Sequence, residues 1–271
     1  MKPQEFSLLS GQAHLAAGQV GQGSALVFLH SSVTDRRGWA AQMKQFQDAY
    51  HVVAYDRRGY GDTRPVNEPY SDVQDLLRVL DSVQAHQAVL IGNSRGDQVA
   101  LDFALAHPER VRALVLIASA ISGSPQVEHW PPDVQRLATR IEEAEAAHDL
   151  DRLNELEAWL WLDGPSSRQN RVTGGVRDLF LDMNGRALRA EALGEERPGP
   201  PAYDQLQEIR VPTLLVVGDL DLPHIQVNAE YAAHTIPGAT LQVMPGTAHL
   251  PQLEQPEAFN ALLDRFLGTL P

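Results

Sequence analysis

The chain has 271 residues, a length suited to one α/β domain carrying an insertion, and its 43% hydrophobic content is enough for a large core. Lysine and arginine number 22 against 35 aspartates and glutamates, a formal charge of −13, so the surface repels phosphate backbones and anionic lipid, and neither nucleic acid nor membrane is an expected partner. The absence of cysteine removes disulfides, thiolate catalysis and cysteine-based zinc sites. The first ten residues lack a basic start followed by a long apolar run, so a cytoplasmic location is the default expectation.

Residues 6–9 and 12–17 are expected to form two short strands as an edge hairpin. From residue 25 onward strands and helices alternate: a strand over 25–29, a helix over 39–46, a strand over 51–55 and a helix over 73–83. The apolar run 89–91 is the next strand. Val99, Ala100, Phe103 and Ala104 then recur at helical spacing until Pro108, and a strand covers 113–118. This alternation predicts an α/β fold with a mostly parallel sheet and helices on both faces. Residues 121–203 break the rhythm: no strand is evident, and helices are expected over 134–147, 150–161 and 176–193, separated by Gly/Pro punctuation. The sheet resumes with a strand over 213–217, a helix through 227–233, a strand over 240–244 and a last helix over 256–267.

Between the strand at 89–91 and its helix lies Gly92-Asn93-Ser94-Arg95-Gly96. Glycine at its usual ~7% places a serine between two such glycines about once in 200 tries, so the flanking strand and helix carry the weight. A strand, a tight glycine turn and a helix lift a serine hydroxyl out of the sheet, and glycines are required where a side chain would strike the neighbouring strand or helix. A serine hydroxyl needs a base, usually a histidine oriented by a carboxylate. Two later strand ends supply these: Gly218-Asp219-Leu220-Asp221 and Pro245-Gly246-Thr247-Ala248-His249. In an open parallel sheet, loops at the carboxyl ends of the strands line one crevice, which would collect Ser94, Asp221 and His249. Asp219, directly after glycine, suits the turn better than the acid role.

In these motifs the chain resembles the α/β-hydrolase superfamily, from about residue 25 to residue 267. The strand Val27-Phe28-Leu29-His30 is similar to the family's entry into its oxyanion loop, and Tyr55-Asp56-Arg57-Arg58-Gly59-Tyr60-Gly61-Asp62-Thr63 is similar to its D-x-R-G-x-G-x-S turn. The resemblance implies Ser94 as nucleophile, His249 as general base and Asp221 as its orienting acid. It also implies an oxyanion hole from the backbone N–H groups of Ser32 and Arg95, each such donor being worth roughly 3–4 kcal/mol of barrier. A core formed by residues 1–119 and 204–271 would then carry a helical cap, residues 120–203. The implied activity is hydrolysis of a small ester or related acyl substrate through an acyl-enzyme, with no cofactor and no metal; no metal-binding spacing such as H-E-x-x-H occurs. Serine rather than aspartate at the elbow argues against the haloalkane dehalogenase and epoxide hydrolase branches. Carbon–carbon bond hydrolysis or peracid formation on the same residues, or a weakly active ligand-binding homologue, are the alternatives, because fold and triad do not fix chemistry.

Two positions depart from the family pattern. Ser31 stands where glycine is usual, and Asp97 follows Gly96 where a second glycine is common. A carboxylate there suits the helix dipole by about 0.3–1 kcal/mol but opposes a developing oxyanion. Neutralisation of Asp97 by Arg36 or Arg37 is therefore expected; an unpaired Asp97 would imply weak activity or a narrow substrate range. Ser31, Trp159 and Trp161 are candidate substrate-binding residues, the tryptophans either lining the pocket or stapling the cap. His224 is either substrate-facing or structural, His30 is expected to be structural, and Asp56 and Arg58 to hold their turn.

Overall fold

A computed structural model describes residues 2–271. Eight strands form one sheet in the order β1-β2-β4-β3-β5-β6-β7-β8. The edge hairpin is β1 (Gln4–Ser10) and β2 (Ala13–Val20), which pairs antiparallel with β4 (His51–Tyr55). The other pairings, among β3 (Ala25–Leu29), β4, β5 (Ala88–Asn93), β6 (Val111–Ile117), β7 (Thr213–Gly218) and β8 (Thr240–Met244), are parallel.

The central strands read as unbroken apolar runs because helices cover both faces; every residue of β3, β5 and β7 is buried. The helices that follow them are α1 (Ala40–Phe46), α2 (Asp72–Ser82), α3 (Arg95–Ala106), α7 (Pro223–Thr235), the one-turn α8 (Pro251–Glu254) and α9 (Pro256–Leu267). The first helix is shorter than its apolar spacing predicts because its opening turn, Arg36–Trp39, winds as a 3-10 helix capped by the Asp35 carboxylate. The seventh is longer, beginning at Pro223, whose fixed φ suits a first helical turn.

Between β6 and β7 the chain leaves the sheet and forms α4 (Pro132–Ala146), α5 (Leu150–Glu157) and α6 (Gly175–Leu188). The expected continuation of the second of these to residue 161 is instead a π-helical turn, Ala158–Asp163. The third ends at Leu188 rather than 193. Its last turn is closed by the Arg189 guanidinium on the Gly185 carbonyl, and the chain must then run back to place residues 194–197 beside Val66 and Tyr70. Leu137, Ala144, Leu153 and Leu156 form a small core inside this excursion. A second cluster, with Phe180, Met183 and Leu162 packed on Val33, Leu250 and Leu253, seats it on the loops after β3 and β8.

Candidate active site

Ser94 sits between β5 and α3 with φ 54° and ψ −113°, a conformation that costs a non-glycine residue of order 1–3 kcal/mol and persists only where the surroundings enforce it. The surroundings here are close backbones. A Cβ on Gly92 would lie 2.3 Å from the Gly96 carbonyl oxygen, and one on Gly96 would lie 2.2 Å from that of Leu29. The Ser94 N–H donates to the Ile117 carbonyl at 2.8 Å, so the end of β6 fixes the turn. Ser94 itself is half-buried.

Asp221 and His249 meet as their spacing predicts. His249 Nδ1 lies 2.9 Å from Asp221 Oδ2 and 3.1 Å from Oδ1, and both side chains are almost wholly buried. With Nδ1–H donated to the carboxylate, Nε2 keeps its lone pair. Asp219 accepts the Gly246 N–H at 2.7 Å and so ties its loop to the histidine loop. The acid and histidine loops are pressed together: a Cβ on Gly218 would lie 2.2 Å from the Thr247 carbonyl oxygen.

Two residues that sequence reasoning passed over hold these parts in register. Asn93, buried beside the elbow, donates to the carbonyls of His249 (3.0 Å) and Ile117 (3.3 Å) and accepts from Gln252 Nε2 (3.2 Å). Glu254 accepts the backbone N–H groups of Ala248 and Leu250, on either side of His249. A polar residue just before the serine was the available signal for Asn93; Glu254 had none beyond its place five residues after the histidine.

On the opposite side, His30 is fully buried, and desolvation, helped by the Arg57 charge, holds its pKa well below the ordinary value. Its Nδ1–H donates to the Ser31 carbonyl (2.7 Å) and Nε2 accepts from the Arg57 N–H (2.9 Å), which occupies both ring nitrogens structurally. The Ser31 hydroxyl is shared with Thr34 at 2.9 Å. The Arg95 guanidinium turns toward Asp72 (3.2 Å) and Glu196, while Arg57 reaches the same Asp72 (3.3 Å) and the Ser31 carbonyl (3.2 Å). One buried carboxylate therefore ties Arg57, in the loop after β4, to the first residue of α3, and Arg57 extends the link to the Ser31 carbonyl in the loop after β3. Asp56 and Arg58 hold the 56–63 turn, the former accepting from the backbone N–H groups of Arg36 and Asp62 at 2.8 and 2.9 Å, the latter bound to Asp75 at 2.7 Å.

The arginine partner expected for Asp97 is absent. Arg36 is bound to Asp56, Asp62 and Glu5, and Arg37 to Asp35 and Asp182. Both loop arginines are thus consumed by carboxylates nearer to them. Asp97 is 0% exposed, and neither of its oxygens receives a hydrogen bond. Burial pushes its carboxyl well above the usual carboxylate range, and the Asp102 charge adds to the shift. The Ser119 hydroxyl beside it opposes the shift without reaching hydrogen-bond geometry. The site thus accommodates Asp97 by favouring its neutral form.

The two tryptophans separate. Trp161, on the π turn, places its ring 4.5 Å from the His249 imidazole and accepts the His249 N–H on its carbonyl at 3.2 Å. Trp159 is held within the excursion instead. Its indole donates to the Ser167 carbonyl at 2.9 Å, its ring lies under Arg140, and it packs in the excursion's own core. Consecutive odd positions point to different sides of a helical turn, so only one of the pair can face the sheet. His224 stands near Asp221 and His249, edge-on to Trp130 at 5.0 Å, with a buried Nδ1 that has no partner. Among the described residues no group of three or more His, Asp or Glu side chains is placed to hold a metal ion, and no helix is long and apolar enough to cross a membrane.

A strained serine on a strand–helix elbow and a buried histidine–carboxylate pair at the ends of later parallel strands define an α/β-hydrolase. Residues 26–262 match the alpha/beta hydrolase family, and the chain belongs to it. Among its relatives are 3-oxoadipate enol-lactonase 2 of Acinetobacter baylyi, 29% identical with 89% of each chain covered, and the 2-hydroxy-6-oxononadienedioate/2-hydroxy-6-oxononatrienedioate hydrolase of Burkholderia vietnamiensis, 27% identical over 90% of this chain and 86% of the other. A solved structure of an N-acyl homoserine lactone degrading enzyme superposes with a TM-score of 0.75 at 26% identity, covering 96% of this chain and all of that one.

Proposed function

We propose that this protein is a serine hydrolase that cleaves a small carboxylic ester, open-chain or lactone, through an acyl-enzyme. The observation that carries the reading is the buried 2.9 Å contact of His249 Nδ1 with Asp221, formed by a chain that also spends backbone strain on Ser94. Nε2 of His249 takes the Ser94 proton as Oγ attacks the carbonyl carbon. The resulting oxyanion is held by the N–H groups of Ser32 and Arg95, the latter at the positive end of α3. Collapse breaks the ester C–O bond, and His249 returns the proton to the departing alkoxide. Water, deprotonated by the same Nε2, then attacks the acyl carbon and releases the acid with Ser94 restored. In this reading residues 120–203 form a cap over the core, and Trp161 closes the pocket beside the histidine. The resemblance to an enol-lactonase and to an enzyme that degrades an N-acyl homoserine lactone favours the ester reading.

The Burkholderia relative motivates a second reading, hydrolysis of a carbon–carbon bond next to a carbonyl on the same residues. Both are tested by a panel of short nitrophenyl esters, aliphatic lactones and vinylogous 1,5-diketones. The proposal expects turnover of esters or lactones that is lost in Ser94→Ala and His249→Ala. Turnover of the diketones alone moves the assignment to the second reading, and turnover that survives Ser94→Ala rejects both.

A further inference from the structure

Three consecutive amides of the histidine loop are taken up by two parts of the surroundings. The N–H groups of Ala248 (2.9 Å) and Leu250 (3.3 Å) donate to the carboxylate of Glu254, whose side chain is 2% exposed. The N–H between them, that of His249, goes to the Trp161 carbonyl on the π turn. The Glu254 carboxylate is in turn bound to the guanidinium of Arg171, a residue of the excursion. Arg171 spreads its remaining donors over the Leu162 carbonyl (2.7 Å), the Asp163 carbonyl (2.7 Å) and the Gly246 carbonyl (2.8 Å). A π turn leaves such carbonyls without their usual helical partners, and here an arginine and a histidine N–H take them up. The acid loop is included, because a Cβ on Gly164, just after the π turn, would lie 2.6 Å from the Leu220 carbonyl oxygen.

We propose that Glu254 is a positioning residue for the reaction: with Arg171 it sets the orientation of His249 and couples it to the seating of the excursion over the site. The inference rests on the reading of His249 as the base. Oriented charged hydrogen bonds behind a reacting group fix its geometry, and a displacement of about 1 Å can cost on the order of a hundredfold in rate. Desolvation outweighs the Arg171 charge and the two amide bonds and lifts the Glu254 carboxyl to about 7. Arg171 is the charged group that touches it, and His249 is the titratable side chain on the loop it holds. Its charge is therefore lost as pH falls through the range in which a histidine base also protonates.

The test is the rate of phosphonylation of Ser94 by an alkyl fluorophosphonate as a function of pH, which needs the base but no knowledge of the substrate. Wild type is expected to lose rate on the acid side with the steepness of two protonations. Glu254→Gln should react about ten- to a hundredfold more slowly at its plateau and show one protonation only. Arg171→Ala, which leaves a buried carboxylate without its cation, should move the acid limb to higher pH; this arm stands even if Glu254→Gln does not fold. Glu254→Asp should recover part of the rate. Profiles of Glu254→Gln and Arg171→Ala that superimpose on wild type per folded molecule overturn the proposal. Undiminished labelling in His249→Ala instead overturns the reading on which it rests.

Discussion

Asn93 donates its side-chain amide to the carbonyl oxygen of His249 at 3.0 Å, although 156 positions separate the two residues in the chain. The residue before the proposed nucleophile thus fixes the backbone of the proposed base, and the two loops cannot shift independently. Asn93→Ala leaves the His249 carbonyl and Gln252 Nε2 without this partner in a buried setting, a cost of about 1–3 kcal/mol. Thermal unfolding should report that loss, and kcat should fall by up to about a hundredfold with little change in KM. A stability loss with kcat intact would show that the link serves folding alone.

Asp97 is expected to weaken the fold as pH rises. Its unfolded value is near 3.9, and its folded value lies above that because burial disfavours the charge. Between the two the native state holds the extra proton, so stability falls by up to about 1.4 kcal/mol per pH unit. Asp97→Asn removes this slope, and its melting temperature should exceed that of wild type by a margin that widens from pH 4 upward. Equal margins at all pH values would contradict a neutral buried Asp97.

Gly218 is a test of loop spacing. Its φ is ordinary, so Gly218→Ala probes only the close approach of the Thr247 and Ala248 carbonyl oxygens, at 2.2 and 2.3 Å. Overpacking of this kind costs about 1–3 kcal/mol. Because the displaced atoms belong to the histidine loop, activity per folded molecule should fall as well. Gly268→Ala, whose new Cβ meets nothing nearer than 3.5 Å, is the control and should stay within about 0.5 kcal/mol of wild type.

The tryptophans should divide by assay. Trp159→Phe loses one indole hydrogen bond, about 0.5–1.5 kcal/mol of stability, with kcat/KM unchanged. Trp161→Ala keeps the carbonyl that binds the His249 N–H but removes the ring beside the imidazole, and should alter kcat or KM. The reverse pattern would place the pocket against Trp159.

Much of this molecule could be read from its sequence where the signal is local. Short strand-like segments gave β3, β4 and β8 to the residue, and the glycines flanking Ser94 marked the elbow. Asp221 and His249 were legible because parallel strands deliver their following loops to one edge. What escaped depends on distance in space. The partners of Arg36 and Arg37 come from residues as far along the chain as Asp182, so Asp97 was assigned a counter-ion it does not have. The switch from α5 to a π turn answers the needs of His249 and Arg171, which no periodicity in residues 150–161 records. Asn93 and Glu254 act through backbone atoms of the histidine loop, and backbone carbonyls and amides leave no trace in residue types.

The central claim is that Ser94 is a nucleophile activated by His249. Incubation with an alkyl fluorophosphonate, followed by intact-mass measurement and peptide mapping, tests it most directly. The account expects one adduct per chain, located on Ser94, absent from Ser94→Ala and greatly slowed in His249→Ala. An adduct on another residue, or none on a folded wild-type protein, would contradict it.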